Sequence, residues 1–193
     1  MKRFPIIGVL ILAMGALMIG PVNDVQAKQT SKQRGQAKIR AMAKETLTHL
    51  YKIHPGARAG VEKSAGYAVF DNFGAHIFFL STARGKGIAV DNETKKEIFM
   101  KMFSAGVCPG LGIKDYRAVF LFETKKALYE FIHSGLDLSA QADAAAKVGH
   151  EGEAFTGAVS VAPGVWVYQI TEAGLALQAT LQGTKYYKDD NLN

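Results

Sequence analysis

Cysteine is nearly missing from this sequence, since Cys108 is the only one among 193 residues. A single cysteine excludes an intramolecular disulfide framework and a multi-cysteine zinc site. No lysine, arginine or histidine stands beside Cys108 in the sequence, so we interpret it as a small buried hydrophobe rather than a nucleophile.

Catalytic and metal-binding patterns are missing as well. No serine occupies a G-x-S-x-G turn, and the glycines at 106, 110 and 112 match neither nucleotide-binding fingerprint. The five histidines lack the spacing of metal ligands on one face of a helix or strand. The sequence therefore predicts a protein that is not an enzyme and that uses no metal or cofactor.

The N-terminus carries two charges and then a long apolar run. Lys2 and Arg3 precede a charge-free, mostly apolar stretch from Phe4 to Asn23, and Val25-Gln26-Ala27 is typical of a signal peptidase site. We expect residues 1–27 to be a signal peptide cleaved between Ala27 and Lys28. Residues 28–193 are then expected to form a single domain that is periplasmic or secreted and that can be peripheral on a membrane. An uncleaved membrane anchor is the alternative.

Basic residues are concentrated just after this segment. From Lys28 to Lys63 the sequence holds nine lysines and arginines and two glutamates, whereas from Ser64 onward acidic residues slightly outnumber basic ones. This asymmetry indicates an anionic partner. An anionic phospholipid membrane is the expected partner, because an exported protein does not normally meet nucleic acid. An ordinary solvated basic face is the alternative.

The basic segment is predicted to form an amphipathic helix that begins near Thr30 or Ser31 and ends before Pro55. Its apolar residues lie on one side of a helical wheel. They are Ile39, Met42, Ala43, Leu47, Leu50 and Ile53. Basic residues occupy most of the other side, with Arg40 near the boundary. Such a helix can lie in a membrane interface with its apolar side down, or it can pack that side on its own domain.

Short apolar runs separated by turn residues follow from Gly66. Asp71-Asn72 and Asp91-Asn92 are predicted turns. Thr124 is predicted to cap a helix that Gly135 ends. The alternating segment from Leu175 to Leu181 predicts a half-buried strand that faces Phe120 and Trp166.

Together these patterns predict an α+β fold. It consists of a mainly antiparallel β-sheet or barrel-like sheet, an N-terminal amphipathic helix and one or two further helices.

Several segments together resemble the SYLF domain, a lipid-binding family. The clearest are Lys63-Ser64-Ala65-Gly66-Tyr67-Ala68-Val69-Phe70, Gly85-Lys86-Gly87-Ile88-Ala89-Val90, and Asp115-Tyr116-Arg117-Ala118-Val119-Phe120-Leu121-Phe122. The resemblance implies phospholipid or phosphoinositide binding, with the N-terminal amphipathic segment as the contact region.

The function predicted from the sequence is therefore non-enzymatic binding of anionic phospholipid at a membrane surface. A soluble periplasmic carrier or structural factor, with an apolar ligand or protein partner in its β-rich core, is the alternative. The predicted lipid-binding residues are Arg34, Lys38, Arg40, Lys44, Lys52, Arg84 and Lys86.

Overall fold

The computed structural model describes residues 22–77, 80–107, 115–138, 155–171, 174–176 and 184–193. Most of the predicted signal peptide lies outside these residues, as do Cys108, Leu177 and Leu181. The helices of the described part are α1 (Val22–Ile53), α2 (Ala57–Lys63) and α3 (Lys125–His133). The strands are β1 (Gly66–Ile77), β2 (Leu80–Asp91), β3 (Glu97–Val107), β4 (Asp115–Phe122), β5 (Leu136–Asp137), β6 (Val159–Ala162), β7 (Val165–Thr171), β8 (Gly174–Ala176) and β9 (Thr184–Lys188).

These strands form one curled antiparallel sheet in the order β5-β9-β3-β2-β1-β4-β7-β6, and β8 pairs with β7. β1 lies near the centre of the sheet, where it pairs with β2 on one side and with β4 on the other. The predicted α+β fold with a mainly antiparallel, barrel-like sheet is confirmed.

Successive side chains of a strand point to opposite faces, and each face of the sheet is covered by helix. We call the two sides the α3 face and the α1 face. Phe70 and Phe120 point to the α3 face, where they pack with Phe131 of α3. Their sequence neighbours Val69 and Val119 point to the α1 face.

Aromatic rings fill the centre of the α3 face. The ring of Tyr186 lies 4.7 Å from that of Phe70 and 4.9 Å from that of Phe120, both measured between centroids. Phe131 contacts Phe120 and Phe122 at 5.6 and 4.8 Å. This part of the core is therefore packed with its own side chains.

Helix α1 packs its apolar side on the opposite face. Ile39, Ala43 and Leu50 are buried there in one cluster with residues of the central strands, and Leu50 is 0% exposed. Thr46 is also fully buried, and its hydroxyl donates to the Met42 carbonyl at 2.9 Å. Of the two predicted roles for the apolar side, the structure shows packing on the protein itself.

The N-terminal limit predicted for α1 is wrong. The helix begins at Val22, and Ser31 lies inside it, where its hydroxyl donates to the Lys28 carbonyl at 2.8 Å. The helix therefore crosses the predicted cleavage site, and cleavage there would leave Lys28–Ile53. The end before Pro55 is confirmed.

Two further turn predictions have opposite outcomes. Asp91-Asn92 does end β2, and the Asp91 carboxylate accepts hydrogen bonds from the backbone N–H groups of Glu93 and Thr94. Those bonds lower the pKa of Asp91. Asp71-Asn72 is instead inside β1, paired on both sides with β2 and β4.

Helix α3 is capped as predicted. The Thr124 hydroxyl accepts from the Ala127 N–H at 3.1 Å, and Gly135 takes the left-handed conformation just after the helix, with φ of 75°. Helix α2 fits the expected one or two further helices, but its position was not predicted.

Leu175 lies in the short strand β8, as predicted for the start of the alternating segment. Its expected neighbours, however, lie on different sides of the sheet: Phe120 is on the α3 face and Trp166 is on the α1 face. One strand face cannot pack on both, so that part of the prediction is wrong.

Candidate functional site

The outer side of α1 is basic and open to solvent. Arg34, Lys38, Lys44 and Lys52 are exposed there, and we call this set the α1 basic face. Eighteen residues of helix separate the first from the last, which is about 27 Å at 1.5 Å per residue. None of the four forms an ion pair with another residue that the structure describes.

Arg40, the fifth predicted residue on this helix, has a different position. Its Nε donates to the Glu97 carboxylate at 2.7 Å, and its guanidinium lies 5.2 Å from the centre of the Phe99 ring. The nearby Glu45 accepts from Arg117 of β4 at 2.9 Å. These contacts attach α1 to the sheet, so Arg40 has a structural role that sequence reasoning missed.

A groove of about 550 Å³ lies on the same face of the sheet and is lined by residues of β1, β2, β3 and β9. Strand register explains its composition. Asp71 pairs with Lys86, Lys86 with Lys101, and Lys101 with Tyr187, so these four side chains form one row across four strands. Arg84 pairs with Phe103 in the adjacent row of the same face. We call this the strand groove.

The strand groove begins next to the region that α1 covers. Lys86 is two residues from the buried Ile88, and Lys101 is two residues from the buried Phe99. Two residues of strand span about 7 Å and return to the same face. The groove and α1 therefore share one side of the sheet.

The cations of the groove differ in how they are balanced. Lys101 lies 2.8 Å from the carboxylate of Asp189, which is only 2% exposed and also accepts from the Asn191 N–H. Its charge is therefore neutralised inside the fold. Arg84 and Lys86 are exposed and have no ion pair with any residue in the described part of the chain.

Two aromatic rings lie exposed in the wall of the groove. Phe103 is 37% exposed and Tyr187 is 46% exposed. They are two of the four large hydrophobic side chains that are exposed in the described part of the chain, the others being Ile53 and Tyr129. Two of those four side chains thus border one charged groove.

The structure therefore separates the seven predicted residues into three positions. Four lie spread along the α1 basic face, Arg40 joins α1 to the sheet, and Arg84 and Lys86 meet in the strand groove. The prediction missed Asp71, Lys101, Phe103 and Tyr187, which only strand pairing brings beside them. The lipid-binding role of these residues stays a prediction.

The described residues hold no group of three or more histidine, cysteine, aspartate or glutamate side chains arranged for a metal ion. Nor does any of their helices have the length and hydropathy needed to cross a bilayer.

The chain is similar to a family model and to a known protein. Residues 103–193 match the family model Ysc84, described as Las17-binding protein actin regulator. The chain is also 36% identical over 171 residues to Beta cell expansion factor A of Aeromonas veronii, a match that covers 89% of this chain and 63% of that protein. The chain thus spans somewhat less than two thirds of the relative's length.

The Ysc84 match begins inside β3 and includes the central strand β4, helix α3 and the strands β5 to β9. The relative extends the similarity to most of the remaining chain. These two matches confirm the resemblance to the Ysc84, or SYLF, family that the sequence segments carry.

Proposed function

We propose that this protein is a non-enzymatic, exported binder of anionic phospholipid that docks on a membrane surface through the α1 basic face. Similarity to the Ysc84, or SYLF, family suggests lipid or actin-related binding. The observation that carries the lipid proposal is the orientation of α1. Its apolar side is buried on the sheet, while its exposed side presents four cations without carboxylate partners among the described residues. Phosphoinositide-like headgroups are the expectation that the resemblance adds.

The charge alone supports a weak interaction. Each lysine or arginine close to an anionic surface contributes roughly 1 kcal/mol, so four contribute about 4 kcal/mol and give a dissociation constant near the millimolar range. The apolar side of α1 is already buried and adds nothing. Arg84 and Lys86 face the same side of the protein, and with them the sum is about 6 kcal/mol, or a dissociation constant of tens of micromolar.

The test is cosedimentation with phosphatidylglycerol vesicles at low salt. Lys38→Glu with Lys44→Glu changes the local charge by four units, so vesicle affinity should fall by about a thousandfold. The thermal midpoint should change little, because both side chains are exposed.

A matched control has the same change in net charge on the opposite side of the sheet. Lys125 and Lys126 are exposed on α3, where they form ion pairs with Glu93 and Glu130. Lys125→Glu with Lys126→Glu should therefore retain most vesicle binding. Equal losses in the two double variants, or undiminished binding by the α1 variant, would contradict the proposal.

Two observations support this function over the carrier alternative. Aromatic rings of the α3 face pack against one another, and the strand groove on the other face is open and charged. Salt separates the two functions experimentally, because screening weakens attraction to a charged surface and leaves an apolar binding site unaffected.

A further inference from the structure

We infer that the strand groove is a binding site for a sugar ring that carries a phosphate group. This inference goes beyond the proposed membrane function, because it assigns the groove a ligand of defined shape and does not involve the α1 basic face. Three properties of the groove support it: its cations, its carboxylate and its exposed aromatic rings.

The cations supply the anion-binding part. Arg84 and Lys86 are two residues apart on β2 and therefore project on the same side, about 7 Å apart along the strand. Arginine binds phosphate through paired N–H groups, and lysine adds a mobile point charge. Lys101 forms an ion pair with Asp189, so the part of the groove beside Lys86 is close to neutral rather than strongly positive.

The carboxylate argues against a bare phosphate as the ligand. Asp71 is exposed and lies directly opposite Lys86, at the separation of about 5 Å that is usual for paired side chains. An ionised carboxylate only accepts hydrogen bonds. It repels a small anion, whereas it binds the hydroxyl groups of a polyol that places its phosphate on the far side, toward Arg84.

The aromatic rings suit the apolar side of such a ligand. Tyr187 ends the row that contains Asp71 and Lys86, and Phe103 lies in the row of Arg84. Exposed rings pack well against the C–H face of a sugar, while the phenol of Tyr187 stays in water. The volume of about 550 Å³ is within the usual range for small-molecule sites.

Calorimetric titration of the full chain with glucose-6-phosphate, glucose and inorganic phosphate tests this inference. Glucose-6-phosphate should bind at least about tenfold more tightly than either of the others. Only this ligand has both a phosphate for the cations and a sugar ring for the carboxylate and the aromatic rings. Equal affinities for glucose-6-phosphate and inorganic phosphate would overturn the inference, as would no heat with glucose-6-phosphate at millimolar concentration.

Variants locate the binding. Arg84→Gln with Lys86→Gln should weaken the binding of glucose-6-phosphate by about tenfold or more. Tyr187→Leu should weaken the binding of glucose-6-phosphate several-fold without changing the lower affinity for inorganic phosphate. Lys38→Gln with Lys44→Gln is the matched control on α1 and should bind glucose-6-phosphate normally. Undiminished binding by the Arg84 and Lys86 variant, at an unchanged thermal midpoint, would overturn the inference.

The control also separates this inference from the membrane function. Lys38→Gln with Lys44→Gln should weaken binding to phosphatidylglycerol vesicles by about thirtyfold and leave the affinity for glucose-6-phosphate unchanged, so either result can fail without the other. Phosphatidylcholine vesicles containing lipid A, whose headgroup is a phosphorylated disaccharide, identify the source of the sugar. If the protein binds these vesicles and free glucose-6-phosphate displaces it, the ligand is a glycolipid headgroup. If the protein binds glucose-6-phosphate but not the vesicles, the ligand is a free sugar phosphate. Both results support the site.

Discussion

Replacement of Leu50 by alanine tests whether α1 stays on the sheet. Leu50 is 0% exposed, in the cluster that joins the apolar side of α1 to the central strands. Leucine-to-alanine changes in cores cost about 2–5 kcal/mol, and the cost is higher where the surroundings cannot collapse. A paired sheet lies beneath Leu50 and a regular helix backbone flanks it, so we expect a loss of about 3–4 kcal/mol in the free energy of unfolding.

The assay is denaturant unfolding supported by thermal melting. A loss of that size should lower the melting temperature by about 6–16 °C in a domain of this length. Ile53→Ala is the control, because Ile53 is on the same side of the helix but 37% exposed. Its loss should be about 1 kcal/mol or less.

Vesicle binding by the same two variants gives the second measurement. If the apolar side of α1 remains on the sheet at the membrane, Leu50→Ala leaves binding to phosphatidylglycerol vesicles undiminished wherever the protein is folded. If that side enters the bilayer, the substitution removes membrane contact and weakens binding. A Leu50 variant that is as stable as the Ile53 variant but binds vesicles poorly would refute the packed arrangement.

Three more predictions concern other parts of the chain. The Asn92 side-chain amide donates to the Val61 and Ser64 carbonyl oxygens at 2.7 and 2.9 Å, so Asn92→Ala should lower the free energy of unfolding by about 1–3 kcal/mol in a denaturant titration. Burial raises the pKa of Tyr168 to about 12, which means that folding favours its neutral form. The contribution of Tyr168 to stability should therefore be constant below about pH 10, where an unfolded tyrosine begins to ionise, and be lost as the pH rises toward 12, so the alkaline loss should be smaller in Tyr168→Phe; equal alkaline losses in both proteins would contradict this. N-terminal sequencing of exported protein should begin at Lys28, and a retained Met1 in a membrane fraction would favour the anchor.

The helical period of α1 identified its buried side but not what covers it. Ile39, Ala43 and Leu50 are buried as the wheel predicts. A helical wheel shows only which side of the helix is apolar. Both a bilayer and a β-sheet would bury that side, so only the tertiary structure decides between them. Thr46 shows the same limit: a polar residue at the centre of that side is tolerated because its hydroxyl bonds to the helix backbone.

The turn predictions depended on local preference, which sheet pairing can override. Asp91-Asn92 ends a strand because the Asp91 carboxylate binds the next N–H groups. Asp71-Asn72 has the same composition, yet it is held between two neighbouring strands that continue past it. Flanking pairs on both sides supply backbone partners that a turn would lose.

The strand groove could not be predicted from the sequence for a related reason. Arg84 and Lys86 are neighbours on one strand and were recognised together. Asp71, Lys101 and Tyr187 come from three other strands, and they meet Lys86 only because of the register. A shift of one residue in any of these strands would move its side chain to the α3 face.

The distribution of charge relates the fold to the proposed function. The segment from Lys28 to Lys63 contains nine basic residues and two acidic ones, so it cannot neutralise itself. One of those acids, Glu45, pairs with Arg117 of the sheet, and the other, Glu62, lies near Arg58 of α2. Arg34 and Lys38 are four residues apart on the helix, a spacing at which like charges destabilise it by a few tenths of a kcal/mol. The sheet holds α1 in place despite this repulsion through the buried apolar side and the Arg40 contacts. An anionic surface would offset the repulsion between the exposed cations of α1. The packed orientation of α1, which leaves those cations in solvent, therefore supports membrane docking by its charged side.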